Sequence, residues 1–201
     1  MEKFVVTITR QFGSLGRPIA KKMSEILNVE YYDRDIVDMV AKETNLAVST
    51  ISDIEEKASK WAFMKFPLGN QTIQMQNQIF DVQKKIITEL AEEKNCIIVG
   101  RCADYVLHQM PGHVSIYIYA PWEARYDNCI HALRMEPKEA AQTINDVDQA
   151  RDAYHMKYAG YHPDDVRFKD ILINSALLGV DGTAEYLSEC IRKKFEKKNW
   201  L

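Results

Sequence analysis

Arg10-Gln11-Phe12-Gly13-Ser14-Leu15-Gly16-Arg17-Pro18 joins a short β-branched run to an amphipathic helical pattern, and that placement decides the fold. Ahead of it, Phe4-Val5-Val6-Thr7-Ile8-Thr9 has the near-continuous character of a strand covered on both faces in a parallel sheet. Behind it, Ile19, Met23, Ile26 and Leu27 recur at helical spacing, and Asn28 suits the left-handed residue that closes a helix. A glycine-bearing turn at this junction is where a phosphate-binding loop sits, because the first N–H groups of a helix lack internal acceptors and converge on an anion. The spacing is that of G-x-x-x-x-G-K-[ST] with three replacements: Gln11 for the first glycine, Arg17 for the lysine and Pro18 for the magnesium-holding hydroxyl residue. Gly13 and Gly16 still let backbone donors converge, and Arg17 still offers a cation. Gly-x-x-Gly between strand and helix is also the pattern of a plain tight turn, so the loop alone leaves both readings open.

Outward from the loop, strands and helices alternate. Val29-Glu30-Tyr31-Tyr32 reads as a second strand ending at Asp33-Arg34, and Ile36, Val37, Val40 and Ala41 mark the next helix. A helix starting near Ser49 follows, and another spans about 72–93 with Met75, Ile79, Val82, Ile86, Ile87 and Leu90 on one face. Between these two, residues 61–69 form an apolar, non-periodic stretch broken by Pro67 and Gly69. Cys96–Val99 and His113–Tyr119 are the third and fourth strands, the latter stopped by Pro121. Helices over about 122–133 and 137–158, a fifth strand at 170–173 and a last helix with Ala184, Leu187, Ile191 and Phe195 complete the order. Five strands alternating with helices predict an α/β three-layer sandwich around a five-stranded parallel sheet with right-handed crossovers.

Composition narrows the function. At 201 residues with 46% hydrophobic content the chain fits one domain with a sizeable core. A net charge of −3 argues against a nucleic-acid binder, whose phosphate contacts need positive excess. The absence of an apolar run near the roughly 18 residues of a membrane span predicts no membrane partner and a cytoplasmic protein. Cys96, Cys102, Cys129 and Cys190 form no C-x-x-C pair, and the histidines show no metal-ligand spacing, so no protein-held metal is expected. The 61–69 segment is a candidate surface for homo-oligomer formation or for covering the acceptor cleft.

Five motifs then occur in order: Arg10-x-Phe12-Gly13-Ser14-x-Gly16-Arg17, Tyr32-Asp33-Arg34, Val99-Gly100-Arg101-x-Ala103-Asp104, Asp148-x-x-Arg151 and Ile173-Asn174-Ser175. Together they resemble the cytidylate kinase-like family, a divergent relative of bacterial cytidylate kinase, along nearly the whole chain. The resemblance implies a P-loop nucleoside-monophosphate kinase fold in one domain over 1–201, with a helical acceptor-side region at about 34–93 and lid-like helices at about 122–160. It implies transfer of the γ-phosphoryl of ATP, with Mg2+, to CMP or a similar phosphate-bearing nucleotide substrate. Gly13, Ser14, Leu15, Gly16, Arg17 and Pro18 would then cradle the donor phosphates. Asp33, Arg34, Arg101, Asp104, Asp148 and Arg151 would face the acceptor, as expected beyond the carboxyl ends of parallel strands. Arg17, Arg101 and Arg151 would clamp donor, acceptor and transition state, because phosphoryl transfer is catalysed mainly by positioning and positive charge. Read without the family, Asp148 and Arg151 are first an i,i+3 surface ion pair, because such helix pairs are common, and Arg125 at the start of the lid has a surface role as its alternative.

The sequence departs from the kinase pattern at two places. Pro18 cannot ligate magnesium, which leaves nucleotide oxygens, water and Asp33 or Asp104 to hold it. The lid-like segment has Tyr126-Asp127-Asn128 and Ile144 where arginines would stabilise a transition state. These departures set up the alternative of a catalytically degenerate nucleotide-binding or sensor protein with the same fold.

Overall fold

The computed structural model describes residues 2–33, 35–48, 51 and 70–196. In chain order the elements are β1 (Val5–Arg10), α1 (Gly16–Leu27), β2 (Glu30–Tyr32), α2 (Asp35–Thr44), α3 (Asn70–Glu93), β3 (Cys96–Val99) and the short α4 (Ala103–Val106). They continue with β4 (His113–Tyr119), α5 (Trp122–His131), α6 (Pro137–Ala159), a 3₁₀ turn at Val166–Phe168, β5 (Ile171–Asn174) and α7 (Gly179–Phe195). The five strands form one parallel sheet, as the alternation of strands and helices predicts, and the structure gives their order as β2-β3-β1-β4-β5. The short α4 and the 3₁₀ turn are additions that the periodicity does not reveal. Among the described residues, no helix is long and apolar enough to cross a membrane.

Strand alternation sorts the core into two layers. Phe4, Val6 and Ile8 point to one face of the sheet, where they join Ile19, Met23 and Leu27 of α1 and Leu187, Ile191 and Phe195 of α7. Val5, Cys96 and Ile98 point to the other, against Ile36 and Val40 of α2 and Ile79 and Ile87 of α3. Each fully buried Ile contributes roughly 1.5–3 kcal/mol of transfer free energy, so this alternation fixes the register of β1. Asn28 closes α1 in the left-handed conformation that its sequence position predicts.

A third, smaller cluster matters more for the site. Cys129 of α5 and Ala140 and Ile144 of α6 are fully buried together, and Phe12 from the loop after β1 packs among them. Ile144 therefore stands where the kinase pattern has charge because it fills the α5–α6 interior. Arg34, the 61–69 segment and the helix expected after Ser49 lie outside the described residues.

Candidate active site

The loop between β1 and α1 is held open by bonds that begin with its odd residue. Gln11 donates its backbone N–H to Ile118 O (3.1 Å), and its side-chain Oε1 accepts from Ala120 N–H (3.2 Å), tying the loop base to the end of β4. Ser14 Oγ lies 2.9 Å from Gln11 O and 3.2 Å from Ile118 O, while Ser175 Oγ donates to Ser14 O at 2.7 Å. Gly13 has φ 77° and Leu15 φ 57°, so the chain makes two left-handed steps before entering the helix. A leucine in that conformation is strained by roughly 1–2 kcal/mol, which the surrounding bonds must sustain. Ile19 N–H donates to Leu15 O (3.1 Å), leaving the N–H groups of Gly16 and Arg17 ahead of the first turn's closure. Pro18 sits where a missing N–H costs nothing.

Arg10, Arg17 and Arg151 gather beside this helix start. Arg10, at the end of β1, places its guanidinium 3.5 Å from Asp33 Oδ1, and Arg17 Nε pairs with the other oxygen of the same carboxylate. Arg151 Nη1 donates to Arg10 O at 3.0 Å, with its guanidinium 5.8 Å from the centre of the Phe12 ring. Burial pushes the Arg10 pKa well below its ordinary value, with Arg151, Arg17 and Arg101 adding to the effect and Asp33 opposing it. Burial likewise pushes Arg151 down to about 10, against the pull of Asp148. Arg10 and Arg17 thus share Asp33, and Arg125 and Arg151 share Asp148, so an anion arriving at the α1 N-terminus would add a counter-charge to guanidinia that divide two carboxylates.

Arg101 is presented by unusual backbone. Gly100, Arg101 and Cys102 are consecutive left-handed residues, at φ 78°, 59° and 51°, immediately beyond β3. Two of the three carry a side chain, and strain of this kind concentrates at ligand sites. A side chain on Gly100 would displace the Arg10 guanidinium, besides straining the left-handed backbone there.

The carboxylates lie differently from the expectation. Asp148 accepts from Phe12 N–H at 2.7 Å and pairs with Arg125, whose Nη1 also lies 3.4 Å from Phe12 O; Arg151 is 3.8 Å away. Asn128 donates to Gly13 O at 2.8 Å, so α5 and α6 grip both sides of the loop. Asp33 is buried against its two arginines. Asp104 corrects the sequence reading most plainly. Instead of facing a cleft it is 3% exposed, because the three left-handed residues before it turn α4 inward, and it bonds His155, Tyr161 and Lys169. Asp33 and Asp104, the carboxylates expected to offer oxygens to magnesium, are both paired with cations. Among the described residues no group of three or more His, Cys, Asp or Glu side chains is arranged for a metal ion. Arg10, Arg125 and Asn128 are the site residues that sequence reading left without an assigned role or as surface.

Inorganic phosphate or sulfate at millimolar concentration should bind this loop, shifting the amide NMR signals of Gly13, Leu15 and Gly16. In Gly16→Ala the new methyl would meet Arg10 Cβ and Cγ at 2.9 Å, so those shifts should be lost while the protein stays folded. Equal titration curves for the two proteins would exclude the loop as the anion site.

Comparisons with known proteins bear on the family and the fold. The sequence matches the cytidylate kinase-like family over residues 5–177. No curated protein matches it. Among solved structures, an uncharacterized protein from Eubacterium ventriosum is similar at TM-score 0.69 and 23% identity, over 97% of this chain and 99% of its own. The shikimate kinase of Bacteroides thetaiotaomicron gives TM-score 0.58 at 12% identity, over 94% and 98% of the two chains. That of Acinetobacter baumannii, solved in complex with shikimate, gives 0.52 at 14%, over 98% and 97%. These identities establish the fold alone, that of the P-loop small-molecule kinases, and the family match spans most of the sequence. The chain belongs to the cytidylate kinase-like family.

Proposed function

We propose that the protein is a phosphotransferase that moves the γ-phosphoryl of ATP to CMP or a similar phosphate-bearing small acceptor. The observation that carries this reading is the grouping of three arginines beside the N-terminus of α1: Arg10 packs against Gly16, Arg17 shares Asp33 with it, and Arg151 donates to Arg10 O. Such an arrangement supplies what phosphoryl transfer asks of a protein, namely oriented donors and fixed positive charge. Gly13, Ser14, Leu15, Gly16, Arg17 and Pro18 form the donor loop, with Arg17 leaving Asp33 to meet phosphate. Arg101 and Arg151 hold the acceptor and the transferring group, with Asp148 orienting Arg125 and the loop rather than reaching the nucleotide itself. Asp33 steers Arg10 and Arg17, and Arg34 belongs to the same acceptor side by its place in the sequence. Among the described residues Asp33, Asp148 and the Ser14 hydroxyl at the loop are already partnered, and magnesium would enter with the nucleotide's own oxygens and water.

A second reading, nucleotide binding without turnover, is favoured by one feature. The Asp148 carboxylate already occupies the Phe12 N–H, as a ligand phosphate would occupy its neighbours. ADP release from ATP and magnesium, measured across a panel of nucleoside monophosphates, separates the two. The proposal expects acceptor-dependent ADP production with CMP or a close relative. ATP binding by calorimetry with no acceptor-dependent rate would leave the second reading standing.

A further inference from the structure

Asp104, His155, Tyr161 and Lys169 come from three separate stretches of chain and meet at one buried carboxylate. His155 Nε2 lies 3.1 and 2.9 Å from the two Asp104 oxygens, and Tyr161 Oη donates at 3.3 Å. Lys169 Nζ pairs with the same carboxylate, its side chain 0% exposed. The other ring nitrogen of His155, Nδ1, donates to Tyr161 O at 2.8 Å, since a carbonyl can only accept. The Tyr161 ring stands edge-on to His155 and stacks on Phe168 at 3.8 Å, closing the cluster from outside.

A buried ion cluster adds little net stability over an apolar core of the same volume, so a positional reason for it is worth seeking. What the cluster is attached to supplies one. Asp104 follows Arg101 by three residues, with only Cys102 and Ala103 between them. His155 follows Arg151 by four residues on α6, one helical turn along the same face. Arg151 Nη1 donates to Arg10 O at the end of β1, so α6 is fixed to the sheet at Arg151 and to α4 at His155. Lys169, two residues before β5, anchors the same carboxylate from the far side.

We propose that Asp104, His155 and Lys169 are positioning residues that set Arg151 and Arg101 in register, so that the two guanidinia converge on one anionic ligand. The inference rests on the arginine site described above. A small displacement of α6 at its His155 turn would carry Arg151, one turn away, from Arg10 more than it would carry Asp148, two turns away, from the loop it holds through Phe12 N–H. The cluster should therefore control turnover more than ATP affinity, because displacement of a reacting group's partner by about 1 Å can cost about 10²-fold.

Three variants test this. His155→Phe keeps a ring but removes both hydrogen bonds, Tyr161→Phe removes only the hydroxyl, and His155→Gln restores an N–H donor toward Asp104. The Arg151 side-chain NMR signal, assigned by its loss in Arg151→Ala, should shift in His155→Phe and Tyr161→Phe and return toward its native position in His155→Gln. In His155→Phe, kcat should fall about 10²-fold with KM for ATP within about twofold, in protein shown by thermal melting to be folded at the assay temperature. If His155→Phe does not fold, Tyr161→Phe decides through the Arg151 signal. An unmoved Arg151 signal, or a kcat loss that only tracks the unfolded fraction, overturns the proposal. If the wild type shows no acceptor-dependent ADP release, the functional reading fails separately and the NMR measurement still decides the positioning.

Discussion

Arg151→Ala and Arg17→Ala should each reduce turnover by about 10³- to 10⁵-fold, the range for a single arginine acting on a transferring phosphoryl group. For Arg151 the structure makes the expected pattern specific. Its guanidinium is held by Arg10 O at 3.0 Å before any ligand arrives, so its cost of ordering is met in the free protein. Its loss should then appear in kcat, with KM for ATP little changed, because the interaction strengthens only as charge develops. Arg17 starts from a different place. It is 44% exposed and paired with Asp33, and must exchange that carboxylate for phosphate. Arg17→Ala should therefore also weaken ATP binding, by about the 1.5–3 kcal/mol of a hydrogen bond to a charged group. Steady-state kinetics beside calorimetric titration with ATP reads both quantities. Loss of ATP affinity with no catalytic rate to lose would identify a binding protein, whereas unchanged kinetics in Arg151→Ala would remove it from the site.

The pattern of what could be read beforehand follows the range of the interactions. The strands, α1 and its closure at Asn28 were legible because alternation, helical spacing and a left-handed cap are local in sequence. The glycine-bearing junction between β1 and α1 is legible for the same reason. The role of Gln11 is not, since its side chain is explained by Ala120, more than a hundred residues away. Arg10 and Arg151 meet across 141 positions, and Phe12 and Asp148 across 136, so no window of sequence contains either contact. Ile144 looked like a charge missing from a lid, and only the packing of α5 on α6 shows that the position is interior. The burial of Asp104 is not legible, because Gly100-Arg101-Cys102 gives no sign in sequence that all three residues are left-handed. Its partner Lys169 sits between Phe168 and Asp170, where a lysine ahead of a strand reads as exposed.

Asp104→Asn should cost about 3–5 kcal/mol of stability, because it leaves the Lys169 ammonium buried opposite a neutral amide. That is a large share of the roughly 5–15 kcal/mol available to a domain of this kind. The pH dependence gives an independent check. Although burial works the other way, His155 and Lys169 hold the Asp104 pKa well below the usual carboxylate range. A carboxylate depressed in the folded state stabilises fully above its unfolded value of about 3.9, and that contribution is lost as pH falls below it. His113 acts in a separate window. Burial lowers its pKa to about 4, so the unfolded chain takes up a proton first and stability declines between about pH 6.5 and 4. Urea unfolding followed by circular dichroism should then show wild type and Asp104→Asn declining in parallel from pH 7 to 4.5. Below pH 4 only the wild type should lose the Asp104 contribution, and the two curves should draw together. Adding Lys169→Met to Asp104→Asn should recover part of the loss, since the unpaired charge is then gone. If Asp104→Asn costs under about 1 kcal/mol at pH 7, or the double variant is no better than the single, then Lys169 is not the burden that its burial makes it.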